Sequence, residues 1–205
     1  MRTHSSKVNG SLLDFGCGTG EFVNQMSVEG WQCSGVEPSD NARLKAKQLT
    51  GLNIESSIDQ LPNSKFDVVT LWHVLEHIAD VKATLKQIIT QVHPNGIIFV
   101  AVPNHKSKDA EYYQNLWAGY DVPRHLWHFS QSSMSLLLAS CNLKLLEIIP
   151  MKLDAYYVSL LSEQYKRENK NSLAAYLSAL RQGMKSNLSA RKNKNYSSLI
   201  YVAKI

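Results

Sequence analysis

The sequence predicts an α/β protein of the Rossmann-like, doubly wound kind, and three observations carry that expectation. Short apolar runs alternate with amphipathic helical segments from Ser11 to Ile149, the pattern of repeated βα units laid into a parallel sheet covered on both faces. A glycine cluster, Gly16, Gly18 and Gly20, leaves the first run and opens the first helix, which is where such folds place a ligand-binding turn. The 205 residues are 44% hydrophobic and 19% charged, a composition of one globular domain that excludes disorder, collagen-like repeats and coiled coil.

Taken in order, Ser11 to Phe15 reads as a buried strand and Glu21 to Glu29 as a helix, with Phe22, Val23 and Met26 at helical spacing. Cys33 to Val36 is the second strand, ending at Glu37, Pro38 and Ser39, and Asp40 to Leu49 alternates Ala, Leu and Lys as a solvated helix does. Further strands are expected at Leu52 to Glu55, Asp67 to Leu71 and Gly96 to Val102, with a helix at Val81 to Val92 closed by a turn at Pro94, Asn95 and Gly96. A long polar and aromatic loop, Asn104 to Ser130, precedes a helix at Ser132 to Cys141 and a strand at Lys144 to Ile149. Beyond Ala155 the pattern is helical again, with Leu173, Tyr176, Leu177, Leu180 and Met184 on one stripe, then a polar, basic stretch from Ser186 to Asn195 and a last strand at Ser198 to Ala203. The expected organisation is one domain, 1–205, in which 151–197 is a helical excursion before the last strand.

Charge is unevenly spread. Residues 1–150 hold 12 basic and 14 acidic side chains, whereas 151–205 hold 10 and 3, so the net charge of +5 describes the tail and gives no ground for nucleic-acid binding. Cys17, Cys33 and Cys141 are odd in number and lack CxxC spacing, so reduced thiols are expected and neither disulfides nor a zinc knuckle. With no apolar run near the length of a membrane span, a cytoplasmic protein without stable membrane insertion is the expectation.

The glycine spacing narrows the ligand. A dinucleotide fingerprint needs G-x-G-x-x-G, but here the third glycine comes one residue early and Glu21 stands in its place. Asp14, two residues before Gly16, would repel a pyrophosphate and suits a ligand with cationic groups and no phosphate. S-adenosylmethionine is such a ligand. Glu37 can accept from both ribose hydroxyls, Asp59 from the adenine amino group, and Ile58 can lie against the ring.

With these residues in view, the sequence resembles the class I S-adenosylmethionine-dependent methyltransferases. The resemblance runs through Leu12 to Gly20 (LLDFGCGTG), Val36 to Ser39 (VEPS), Ile58 to Pro62 (IDQLP), Phe66 to His77 (FDVVTLWHVLEH) and His93 to Gly96 (HPNG). It covers about residues 11–150 and is closest in pattern to the ubiquinone-biosynthesis-type O-methyltransferase branch. It implies a seven-stranded sheet of order 3-2-1-4-5-7-6 with the last strand antiparallel. It implies S-adenosyl-L-methionine as cofactor, S-adenosyl-L-homocysteine as product and a small-molecule acceptor. The cofactor-binding residues it implies are Asp14, Gly16, Cys17, Gly18, Thr19, Gly20, Glu37, Pro38, Ile58, Asp59, Leu71, Trp72 and His73.

The segment His73 to His77 also fits the H-x-x-E-H of zinc proteases, but it follows a parallel strand within an otherwise complete methyltransferase series. Some related quinone O-methyltransferases hold Mg²⁺ with a Glu-x-x-Glu-His at this place. The first position here is His73, a donor Mg²⁺ does not favour, and no metal is assigned. In Pro123 to Phe129 (PRHLWHF), His125 is the first candidate base and His128 the second, in a pocket expected to be bordered by Trp72, His125 and Trp127. The basic excursion leaves room for a homodimer. Only ten residues precede Ser11, where members of the resembled family carry helices that close the cofactor site. The alternative reading is therefore a module that binds the cofactor without turning over, and a nicotinamide oxidoreductase stands behind it.

Overall fold

The computed structural model describes residues 9–61, 65–167 and 172–205; Pro62 of the IDQLP motif lies outside them. The chain runs β1 (Ser11–Phe15), α1 (Glu21–Val28), β2 (Gln32–Val36), α2 (Asp40–Thr50), β3 (Ile54–Glu55), β4 (Phe66–Trp72), α3 (Val81–Thr90), β5 (Val92–Pro103), α4 (Lys108–Tyr113), α5 (Gln131–Ser140), β6 (Lys144–Pro150), α6 (Asp154–Lys166), α7 (Leu173–Asn193) and β7 (Ser198–Lys204). The seven strands form one sheet of order β3-β2-β1-β4-β5-β7-β6. Pairing is parallel from β3 to β5, and β7 runs antiparallel to both β5 and β6. The expected fold class, strand order and antiparallel last strand all hold.

Successive side chains of a strand leave on opposite faces, and β4 shows what this does to the core. Val69 and Leu71 join one cluster with Leu85 and Ile88 of α3 and Met134 and Leu138 of α5. Val68 packs into the other cluster with Leu12 and with Met26 of α1, and Trp72 lies against it. The parallel strands thus end on one edge of a sheet clad on both faces, and loops at that edge are free to hold a ligand.

Three differences from the sequence reading go beyond a residue or two at an element's end. The Pro94-Asn95-Gly96 turn lies inside β5, which starts at Val92 opposite Phe66 and shifts register before Ile97 meets Val68. The irregularity absorbs the proline within a strand instead of ending a helix. The loop after Pro103 contains α4, capped by Ser107, whose hydroxyl accepts from the Ala110 N–H. Ser186 to Asn193, expected to be polar and irregular, continues α7.

The orientation of α7 follows from size and not from polarity. Its buried face is made of small or polar residues, among them Ala175, Ala179, Gly183 and Ala190. A Cβ on Gly183 would stand 2.6 Å from the Tyr156 ring of α6, so the two helices pack at close range. The leucine stripe consequently points outward, with Leu173 76% and Leu177 60% exposed.

Candidate active site

The turn after β1 is fastened to the end of β2. Gly16 and Cys17 both donate their N–H to the Val36 carbonyl, at 2.7 and 3.0 Å. Gly18 donates to Glu37 Oε2 at 2.9 Å, and Ser39 donates to Glu37 Oε1 at 2.8 Å. Each Glu37 oxygen keeps a further lone pair, since a carboxylate offers about four acceptor sites. Glu37 is held facing the loop while still able to accept from a ligand.

The glycines divide their work. An ideal Cβ on Gly16 would lie 2.5 Å from Val74 Cγ2, and one on Gly20 would lie 3.0 Å from Ala46 of α2. These two glycines therefore admit protein. Gly18, at φ +55°, has nothing within 4 Å of its Cβ position, and of the three glycines in this turn it presents bare backbone to open space where a ligand can approach. Thr19 turns away and donates to Glu21. Cys17 is buried as loop filling, and burial pushes its thiol up to about 12, with Asp14 and Glu37 adding to the shift. It is no nucleophile.

Asp14 sits beneath this turn, 2% exposed, and accepts from Thr70 Oγ1 at 2.6 Å. Burial raises its carboxyl to about 7, the Thr70 bond opposing and the Glu37 charge assisting. A neighbouring cation would offset that burial cost. The raised value makes the proton stabilising: its contribution is complete below an ordinary value near 3.8, falls as pH rises toward 7, and is gone above. Asp14→Asn keeps an acceptor for Thr70 and never ionises. Against the parent, it is expected to gain about 1 to 3 kcal/mol at pH 8 and little at pH 4 in urea denaturation of ligand-free protein. An equal effect at both values would contradict the assignment.

Further along the edge, Ile58 is buried in the core and Asp59 accepts from Gln87 of α3 at 2.5 Å. Pro38 offers its carbonyl to Arg43 at 3.0 Å. Leu71 is fully buried against α3 and α5, so its side chain lines nothing and only its main chain is available. Trp72 stands edge-on to Phe22 of α1, with ring centroids 5.2 Å apart.

At His73 the chain leaves β4 with φ +55°. This bend lays Val74 onto Gly16 and sends the imidazole toward α6. His73 Nε2 is 3.2 Å from Asp154 Oδ2 and Nδ1 is 3.3 Å from Glu76 Oε1. Burial opposes the charge, but the two carboxylates outweigh it and push the imidazole up to about 9. His73 is thus a cationic clamp between β4 and α6.

The clamp forms one end of a cavity of about 420 Å³ whose wall includes Glu76, His125 and Asp154 on the polar side and Met151, Tyr157 and Leu161 on the apolar side. Tyr157 and Leu161 come from α6, so the helical excursion supplies a wall of this cavity. His125 Nδ1 donates to the Gly119 carbonyl at 2.9 Å, leaving Nε2 as the lone-pair atom, and burial lowers its pKa. Both features suit a proton acceptor. His128 does not share this setting: it is exposed, donates from Nε2 to the Tyr120 carbonyl at 3.0 Å, and does not line the cavity. Trp72 and Trp127 do not border it either; the Trp127 indole is tied to the Ile78 carbonyl at 2.8 Å.

Sequence reasoning missed Asp154, which caps the cavity from 81 residues beyond His73, and it missed the convergence of Glu76, His77 and His125, whose ligand atoms lie within 4.8 Å of one another. The five-residue motif showed two of those three, but nothing in the spacing brings in the third. The Mg²⁺ set of the quinone O-methyltransferases does not fit here, because both nitrogens of His73 are turned to carboxylates and the remaining donors are rich in nitrogen.

Residues 3–148 match the model of the methyltransferase domain family, and the chain belongs to that family. It is 33% identical over 104 residues to a ubiquinone biosynthesis O-methyltransferase of Bradyrhizobium diazoefficiens, a match covering 47% of this chain and 41% of that one. The chain spans about half or less of the length of the relatives it matches first. Its fold is that of a SAM-dependent methyltransferase from Archaeoglobus fulgidus, with TM-score 0.64, 18% identity and coverage of 99% of this chain and 89% of that one. It is also that of a phosphoethanolamine N-methyltransferase from Haemonchus contortus in complex with S-adenosyl-L-methionine, at TM-score 0.62 and 18% identity, covering 97% and 49%. No helix among the described residues is long and apolar enough to cross a membrane.

Proposed function

We propose that this chain binds S-adenosyl-L-methionine along the Gly16 to Gly20 turn and transfers its methyl group to a small-molecule acceptor in the cavity between His73 and His125. The observation that carries this reading is Glu37, fixed by the N–H groups of Gly18 and Ser39 next to the glycine of that turn with open space before it. That arrangement offers an acceptor pair for a ribose and no positive cradle for a phosphate, which also weighs against a nicotinamide cofactor. Asp14 and Glu37 supply negative charge suited to a cationic cofactor, Asp59 stands for the adenine amino group with the small exposed part of Ile58 against the ring, and Trp72 stands at the methionine end.

When bound, the cofactor supplies an electrophilic methyl on a positive sulfur. The acceptor lone pair forms the new bond as the carbon–sulfur pair returns to sulfur, and alignment of the two supplies most of the rate. The His73 clamp holds α6 in place as one wall, and the acceptor's proton leaves at the His125 end of the cavity. We read 1–205 as a single methyltransferase domain whose excursion, 151–197, closes the acceptor side. A cytoplasmic setting accords with three free cysteines.

Thermal shift tests the first half: S-adenosylmethionine and S-adenosylhomocysteine should each raise the melting temperature, and NADH should not. Absence of a shift with both sulfur ligands would end the reading. Transfer of labelled methyl to a panel of small hydroxyl and amine acceptors tests the second half and separates an enzyme from a binding module. His125→Ala is expected to slow transfer by about 10²-fold, with His128→Ala staying within about twofold. The reverse ranking would reassign the acceptor end of the site.

A further inference from the structure

We propose that the outward face of α7 is a docking surface for an anionic lipid leaflet, on which the protein lies without crossing it. The inference goes beyond the methyl-transfer reading and does not depend on it.

The first ground is an apolar strip that the fold cannot cover. Leu173, Tyr176, Leu177, Leu180, Met184 and Leu188 are every leucine, tyrosine and methionine of α7, and each is 46–76% exposed. At 3.6 residues per turn they fall on one arc of about 120° and run about 22 Å along the helix. The helix cannot roll to hide them. Its inner face is fixed by Gly183 against the Tyr156 ring and by Ser178 and Ser186, which donate to the buried carboxylates Glu163 and Asp109. A continuous exposed strip of this kind marks an interaction surface.

The second ground is charge, which selects the occupant. α7 carries Arg181, Lys185, Arg191 and Lys192 and no acidic residue. Arg181, Lys185 and Lys192 are exposed and stand beside one edge of the apolar arc. Elsewhere in the excursion Asp154 is turned to His73, and buried Glu163 holds Arg167. Among the described residues of 151–205, the exposed charged side chains are therefore all cationic. A second copy laid on the strip about a two-fold axis would bring like cations together. A nucleic acid would answer the charge and leave the leucines in water. An anionic leaflet answers both, because the leucines enter the boundary of the acyl chains while the Lys and Arg stems follow the apolar surface and their heads reach lipid phosphates.

The test is cosedimentation of the full chain with vesicles of phosphatidylcholine alone and of phosphatidylcholine mixed with phosphatidylglycerol. Binding to the mixed vesicles is expected to be at least about tenfold tighter than to the neutral ones and to fall as salt is raised. Arg181→Glu with Lys185→Glu, and separately Leu177→Ser with Leu180→Ser, should each weaken it about tenfold or more. All four side chains are exposed, so the urea midpoint should stay with the parent. Lys82→Glu with Lys86→Glu, on the exposed side of α3, should bind like the parent. The proposal is overturned by absence of binding to the mixed vesicles, by equal binding to neutral ones, or by binding that survives the leucine pair. A parent dimer in sedimentation velocity that the leucine pair turns into monomer would assign the strip to a second copy and overturn it too. Failure here leaves the S-adenosylmethionine thermal shift, and with it the methyl-transfer reading, untouched.

Discussion

Glu37→Ala is expected to weaken S-adenosylmethionine binding by about 1 to 3 kcal/mol, a loss of roughly five- to 150-fold in calorimetry. The carboxylate has two tasks, and alanine abolishes both. Its oxygens accept from Gly18 and Ser39, tying the glycine turn to the start of α2, and in the proposed complex their remaining lone pairs accept from the ribose. Glutamine is nearly as poor a replacement. Both oxygens face N–H donors, so the amide nitrogen of glutamine must point at one of them and lose that bond. Glu37→Gln is therefore expected to recover little of the affinity, whereas a role resting on side-chain bulk alone would leave glutamine close to the parent. Unchanged affinity in Glu37→Ala would remove the ribose assignment altogether.

Gly16→Ala is expected to destabilise the fold by about 3 kcal/mol or more, measured by urea denaturation. Two costs add at this position. The backbone sits at φ +77°, a region where a Cβ costs about 1 to 2 kcal/mol. The new methyl would also lie 2.5 and 2.9 Å from the two γ carbons of Val74, and a β-branched side chain has little rotamer freedom with which to yield. The double substitution Gly16→Ala with Val74→Ala separates them. It should relieve the contact and leave the backbone cost, returning about half of the lost stability. If the double variant is no better than the single one, the backbone alone carries the requirement.

The sheet was legible because its rules are local. Apolar runs, helix periods and the glycine cluster each follow from spacing in the chain, and Glu37 follows from standing at the tip of a strand next to that cluster. Side-chain direction was less so. Leu71 and Trp72 are neighbours in sequence, and period two sends one into the core and the other toward α1; the motif that contains both does not say which. The α7 stripe shows the same limit, since a period of 3.6 marks a face without telling whether that face meets protein. There the close fit of Gly183 on Tyr156 decided it. His125 and His128 lie in one short run, yet only the first reaches the cavity, because each ring is turned by a different carbonyl, Gly119 or Tyr120. The meeting of Glu76 and His77 with His125 depends on the loop folding back so that Leu126 donates to the Glu76 carbonyl at 2.8 Å, a contact across 50 residues that no spacing announces.

The left-handed bend at His73 has a bearing on how this protein can change. Two consecutive residues serve different parts of the molecule, Val74 packing on the glycine turn and His73 gripping the α6 wall of the cavity. On the proposed function, new acceptor preferences are therefore to be sought through α6 and residues 118–125, whereas alterations within the bend disturb both parts at once. Libraries seeking altered selectivity should leave 73 and 74 fixed and vary Met151, Tyr157 and Leu161.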